Sequence, residues 1–199
     1  MCSGYIHLHI IRLPMTQIFT TRELLQYGTR AAVDQTLYRM VEAGFINRVA
    51  RGVFIRDVSY SPPIEEIVEA KMAAWNKTIF THAENLLAIL NLAPKGPKDA
   101  HVVAVDGPSS SFETIAGRVE LKAIGRRKVS LNQSKVGQIV YALWHLGRKS
   151  CAEQEIATAT EGFSRSQREE LRRSTAMMPA WLNDLCRFRF VSTKMPMRC

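Results

Sequence analysis

The sequence predicts a mixed α/β protein: an N-terminal winged helix-turn-helix over residues 15–58, then a mixed α/β domain over residues 62–190 with a helical end. Three observations predict it. Between Phe19 and Ile55, two helical stretches separated by Gly28-Thr29 run into a pair of β-prone segments around Gly52. The prolines of Ser59-Tyr60-Ser61-Pro62-Pro63 then interrupt regular structure. Beyond them, short apolar strands between His101 and Ile124 give way to helical periodicity.

Each element has a local reason. Ser3 to Pro14, rich in Ile, His and Leu, reads as a strand. Phe19 to Leu25 reads as a short helix, with Thr20 or Thr21 as cap and Glu23 in its first turn. Gly28 ends it, Thr29 caps a second helix over Arg30 to Ala43, and Gly44 closes that one. Val33, Leu37, Met40 and Val41 form its apolar face. Phe45 to Ile55 reads as a β-hairpin turning at Arg51-Gly52. Helices are expected at Ile64 to Trp75 and Thr81 to Leu92, with a break at Pro94-Lys95-Gly96-Pro97. Strands are expected at His101 to Val105, Glu113 to Ile115 and Val119 to Ile124. Val136 to Leu146, Cys151 to Thr160, Arg165 to Thr175 and Pro179 to Phe190 read as helices, the last docking through Trp181, Leu182, Leu185 and Phe188.

Composition narrows the function classes. The 199 residues carry 27 Lys and Arg against 18 Asp and Glu, a formal net charge of +9. Such an excess favours an anionic partner, nucleic acid first. The excess sits at the ends: +3 over residues 1–60, +1 over 61–130 and +5 over 131–199. Apolar runs such as Leu86 to Leu90 fall far short of the roughly 20 residues that span a bilayer. Tyr5 to Leu13 lacks the basic start and cleavage site of a signal peptide. Cys2, Cys151, Cys186 and Cys199 show no zinc-like spacing, and a reducing cytoplasm suits them best.

A resemblance adds to these readings. Ile18-Phe19-Thr20, Gly28 to Asp34, Leu37 to Val41, Gly44-Phe45-Ile46 and Arg48 to Phe54 resemble the N-terminal winged-helix domain of the AbiEi-like antitoxins of type IV toxin–antitoxin systems. Softer landmarks continue to Trp181: Ala83 to Leu87, Asp106 to Ser109, Glu120-Leu121-Lys122, Ala142-Leu143 with Leu146-Gly147, and Pro179-Ala180-Trp181. The resemblance implies a DNA-binding repressor of its own operon and a nucleotidyltransferase-like toxin that it counteracts. It implies no catalysis and no cofactor. Members carry a helix before the Phe-Thr motif, where this chain reads as a strand. With Met15 as an alternative start, the three-helix core would lack or borrow a helix.

The candidate DNA contacts are Arg30, Gln35 and Arg39 on the second helix, with Arg48 and Arg51 on the hairpin. Arg and Gln match the major-groove edges of guanine and adenine, and arginines on a wing reach phosphates. Arg56 is a further basic residue of the hairpin. The alternative reading is a metal-dependent nuclease in which Asp106 and Glu120 hold a divalent cation and Lys122 steadies the attacking water. Against it, Asp-Gly-Pro is ordinary turn chemistry, and Glu120 with Lys122 suits the solvent side of a strand. His7 and His9 would share a strand face with no third ligand, so no metal is expected. Ser109-Ser110-Ser111 reads as a polar loop. Arg165, Arg168, Arg172, Arg173, Arg187 and Arg189 form a second basic patch, either a charge-laced surface or a contact with DNA or toxin.

Overall fold

A computed structural model of the chain describes residues 2–92 and 100–192, without the side chains of residues 2, 3 and 188–192. The Pro94-Lys95-Gly96-Pro97 break, Cys199 and the side chains of Cys2, Phe188 and Arg189 lie outside the described residues. The fold is mixed α/β. It divides into two compact units, residues 1–79 with 98–123 and residues 80–97 with 124–199.

The first unit opens with α1 (Cys2–Arg12), a helix where the sequence suggested a strand. The reason is visible in burial. A strand would hide Ile6, Leu8 and Ile10 together, yet Ile6 and Ile10 are buried and Leu8 is exposed. That four-residue step, continued to Leu13, is a helical stripe, and it packs beside Phe19, Leu24, Val33 and Leu37 in one core cluster. Fully burying each isoleucine stabilises the chain by about 1.5–3 kcal/mol, which outweighs the β preference of the local residues.

The second correction is smaller. The stretch expected to be a helix from Phe19 to Leu25 is strand β1 (Ile18–Thr20) followed by a 3₁₀ segment, Glu23–Tyr27. The Glu23 carboxylate folds back to accept hydrogen bonds from the Thr20 amide at 3.1 Å and the Thr20 hydroxyl at 2.6 Å. Helix α2 (Arg30–Glu42) follows, with the Thr29 hydroxyl accepting from the Ala32 amide. Gly44 takes a positive φ just past its end. Strands β2 (Asn47–Ala50) and β3 (Val53–Ile55) make the hairpin, and Gly52 at φ +76° allows its tight turn.

After the linker, α3 (Ile64–Ala74) leads to β4 (Ile79–Thr81), then β5 (His101–Val105), β6 (Ser110–Thr114) and β7 (Gly117–Ala123). One seven-stranded sheet runs β1-β3-β2-β6-β7-β5-β4. Strand β7 pairs antiparallel with β6 and parallel with β5. The hairpin joins the later strands through Ala50 opposite Thr114 and the Ile115 amide on the Val49 carbonyl at 2.9 Å. The expected division into 15–58 and 62–190 therefore differs from the compact units. Sheet pairing ties the hairpin to residues some 60 positions later, a bond the proline linker does not reveal.

The second unit is helical. It contains α4 (Ala83–Ile89), α5 (Arg126–Leu131), α6 (Lys135–Leu146), α7 (Glu153–Ala159), α8 (Arg165–Arg173) and α9 (Ala180–Ser192). Its core gathers Leu87, Leu131, Val140, Tyr141, Leu143, Ile156, Leu171 and Leu182. Gly137 lets the start of α6 pass against α5, since a Cβ there would run into the Leu131 carbonyl. Among the described residues, no helix is long and apolar enough to cross a membrane.

Candidate nucleic-acid interface

Helix α2 hides Val33, Thr36, Leu37 and Met40 and exposes the other side. Arg30, Gln35 and Arg39 are all exposed, as the apolar periodicity required. They do not form one cluster. At roughly 100° per residue, Arg30 and Arg39 lie about 180° apart around the helix, with Gln35 about 40° from Arg39. Arg30 also carries a partner, Asp34, at 2.8 Å one turn on. Such an exposed i,i+4 pair is worth only a few tenths of a kcal/mol, so a phosphate could displace the carboxylate at little cost.

The hairpin turn is held from two sides. The Thr21 amide donates to the Gly52 carbonyl at 3.0 Å, and Lys71 Nζ donates to the Arg51 carbonyl at 2.6 Å. Arg51 thus projects its exposed side chain from a fixed backbone. Arg48 is exposed on β2, with its Nε 3.4 Å from the Ala50 carbonyl. Arg56 gives its guanidinium to the Leu13 carbonyl, which makes it a tie between α1 and the hairpin.

Beside this turn lies a cavity of about 620 Å³ within the first unit. It joins two of the five expected contacts, Arg30 and Arg51, to two cations the sequence reading missed, Arg22 and Lys71. Trp75 and Phe112 supply aromatic wall, and none of the lining residues is acidic. Gln35, Arg39 and Arg48 are not among them. Lys71 is the unusual member. Only 6% of it is exposed, with its ammonium 4.7 Å from the Phe112 ring centre and 5.0 Å from that of Trp75. Burial pushes this ammonium below its ordinary pKa, and the nearby Arg51 and Arg48 push it the same way. The sequence did carry a signal: Lys71 falls on the α3 stripe of Ile64, Ile67, Val68 and Trp75, where a charge is out of place.

The remaining candidates are dispersed. Asp106 is exposed, and its carboxylate accepts from the Thr78 amide at 3.1 Å. Glu120 pairs with Lys122 at 2.8 Å and with Arg118 at 3.7 Å. The hydrogen bond and charge of Lys122 hold the Glu120 carboxyl below its usual range. Among the described residues, no three His, Cys, Asp or Glu side chains are grouped to hold a metal ion. His7 and His9 do not share a strand face as expected, because α1 turns them apart. His7 meets the Phe45 ring edge-on, and His9 Nδ1 lies 3.1 Å from the Tyr27 hydroxyl. Nor are all three serines in a loop: Ser110 and Ser111 belong to β6, while the Ser109 hydroxyl accepts from the Ala123 amide.

In the second unit the α8 arginines share a face with glutamates. Arg172 and Arg173 stand 3.9 and 3.8 Å from Glu169. Cys151 and Cys186 are buried free thiols. No family model, curated protein or solved structure matches this chain.

Proposed function

We propose that the chain is a DNA-binding transcriptional regulator of the AbiEi-like antitoxin type, acting in the cytoplasm. In this reading residues 15–58, together with α1, form a winged helix-turn-helix. Helix α2 enters the major groove, and the β2–β3 hairpin lies against the backbone as a wing. Gln35 and Arg39 read base edges, while Arg30, Arg48 and Arg51 contact phosphates. The protein represses its own operon and counteracts a nucleotidyltransferase-like toxin, with no catalysis of its own.

One observation carries the reading. Helix α2 presents an exposed polar face directly before a hairpin whose turn is fixed and basic, with Arg51 unopposed by any carboxylate at ion-pair distance among the described residues. The order of helix, strand, 3₁₀ segment, helix and hairpin supports it, as does α1, which supplies the helix the resemblance requires. A gel-shift titration at physiological salt tests it. The DNA upstream of the gene should be preferred over an unrelated duplex by about 10³-fold or more. Equal affinity for both fragments overturns sequence-specific regulation and leaves only charge attraction.

A further inference from the structure

We propose that the cavity between the hairpin turn, the start of α2 and the end of α3 binds a mononucleotide, a phosphorylated ligand with a flat aromatic base. The argument begins with Lys71. A lysine of which only 6% is exposed, with no carboxylate at ion-pair distance among the described residues, is costly. Its one hydrogen bond among the described residues, to the Arg51 carbonyl, leaves two N–H donors that meet only the Phe112 and Trp75 ring faces. A phosphate oxygen satisfies both the charge and a free donor. Arg22 and Arg51 line the same cavity without a carboxylate partner among the described residues, and Arg30 can exchange Asp34 for a ligand oxygen.

Volume and walls select the rest of the ligand. About 620 Å³ lies within the usual 300–1,000 Å³ of small-molecule sites. Duplex phosphates would meet the arginines yet leave the apolar wall unused. Trp75 is 46% exposed and, with Leu25 and Phe112, offers that wall to a planar ring. Ser110, on the same face of β6 as Phe112, adds a hydroxyl suited to a sugar. Because Arg30 and Arg51 are also proposed phosphate contacts, a bound nucleotide would compete with DNA. That consequence rests on the regulator reading, whereas nucleotide binding itself does not.

The test is therefore run first without DNA. The full chain is titrated calorimetrically with ATP, GTP, CTP and UTP, and separately with pyrophosphate and adenosine. At least one nucleotide should bind, quench tryptophan fluorescence, and exceed both fragments in affinity by about tenfold or more. Lys71→Met, which keeps the packed stem, should weaken it by about 10- to 100-fold. Arg22→Ala, at an exposed position, should weaken it by about two- to fivefold, and covers the case in which Lys71→Met fails to fold. Trp75→Leu should abolish the quench. No binding of any nucleotide at millimolar concentration overturns the proposal. So does pyrophosphate binding as tightly as the nucleotide, or undiminished binding in Arg22→Ala. Competition with promoter DNA is measured afterwards. Nucleotide binding without DNA binding would retain the site and reject the regulator reading, and the converse would do the reverse.

Discussion

The two units handle positive charge in opposite ways. Around the cavity of the first, Arg22, Arg51 and Lys71 share one lining without a carboxylate at ion-pair distance among the described residues, and the lining contains no acid. On α8 of the second, Arg172 and Arg173 bracket Glu169, and the helix surface carries its own counter-charge. Net charge by segment would rank the C-terminal third as the more basic, at +5 against +3. What distinguishes a binding surface is uncompensated charge held in place, and there the first unit leads. A buried lysine among arginines costs stability in the free protein, a cost that the Arg51 carbonyl and the two rings offset in part and that a bound anion would offset further.

The largest expected effects concern the platform that holds these charges. Ile10→Ala should cost about 2–5 kcal/mol, because Ile10 is fully buried beneath α2. Leu182→Ala should cost a similar amount in the second unit. Urea unfolding followed through single-tryptophan variants keeping Trp75 or Trp181 separates the two. If Ile10→Ala leaves the Trp75 transition unmoved, α1 is not part of the platform.

Next come the contacts themselves. Gln35→Ala should cost about 1–3 kcal/mol on promoter DNA and nothing on unrelated DNA, as expected of a residue that reads a base. Arg51→Ala should weaken both alike and make the salt dependence shallower by roughly 1 in slope. Gel shifts over a salt series provide both readouts. A uniform loss for Gln35→Ala, or a sequence-dependent loss for Arg51→Ala, would exchange their roles.

Alkaline pH should separate the units by sign. Lys71 titrates below its unfolded value of 10.5 in the folded chain, so the unfolded state holds more protons within that window. Stability of the first unit should therefore rise as pH climbs towards 10.5. Burial raises the Cys151 thiol from 9.0 to about 11, with Glu155 adding to the shift, and the Cys186 thiol likewise, with Cys151 adding to it. Here the folded state holds more protons, and stability of the second unit should fall from pH 9.0 towards 11. The single-tryptophan unfolding curves check both slopes. Replacing both cysteines with alanine should make only the second shallower, the remainder belonging to Tyr141, whose hydroxyl is also pushed up by burial.

The sequence revealed what is decided locally. Thr29, the Val33–Leu37–Met40 spacing and Gly44 mark α2 within its own residues, and Gly52 marks the hairpin turn. It concealed what distant residues decide. Tyr5 to Leu13 looks like a strand until Ile6 and Ile10 are seen against α2. The cavity is less legible still, since Arg22, Arg51, Lys71 and Phe112 meet from four separate stretches of chain. Of the expected contacts, Arg30 and Arg51 converge there, and helix geometry turns Arg39 the other way. Lys71 on an apolar stripe was the one local mark of the cavity, and the basic count of α8 pointed elsewhere.

The smallest effect is expected at that second patch. Arg172 and Arg173 are exposed, and their contacts with Glu169, at 3.8 Å and beyond, are the open kind that contribute about 0–1 kcal/mol. Arg172→Ala with Arg173→Ala should therefore move the unfolding midpoint little and leave promoter affinity within about twofold, since removing both also frees Glu169 to repel phosphate only weakly through solvent. The same double variant, expressed beside a cognate nucleotidyltransferase-like toxin, asks what the patch is for. Loss of rescue with DNA binding intact would assign α8 to neutralisation. If the double variant destroys promoter binding while Arg51→Ala and Gln35→Ala leave it untouched, the contrast between the units is inverted and the DNA surface lies on α8.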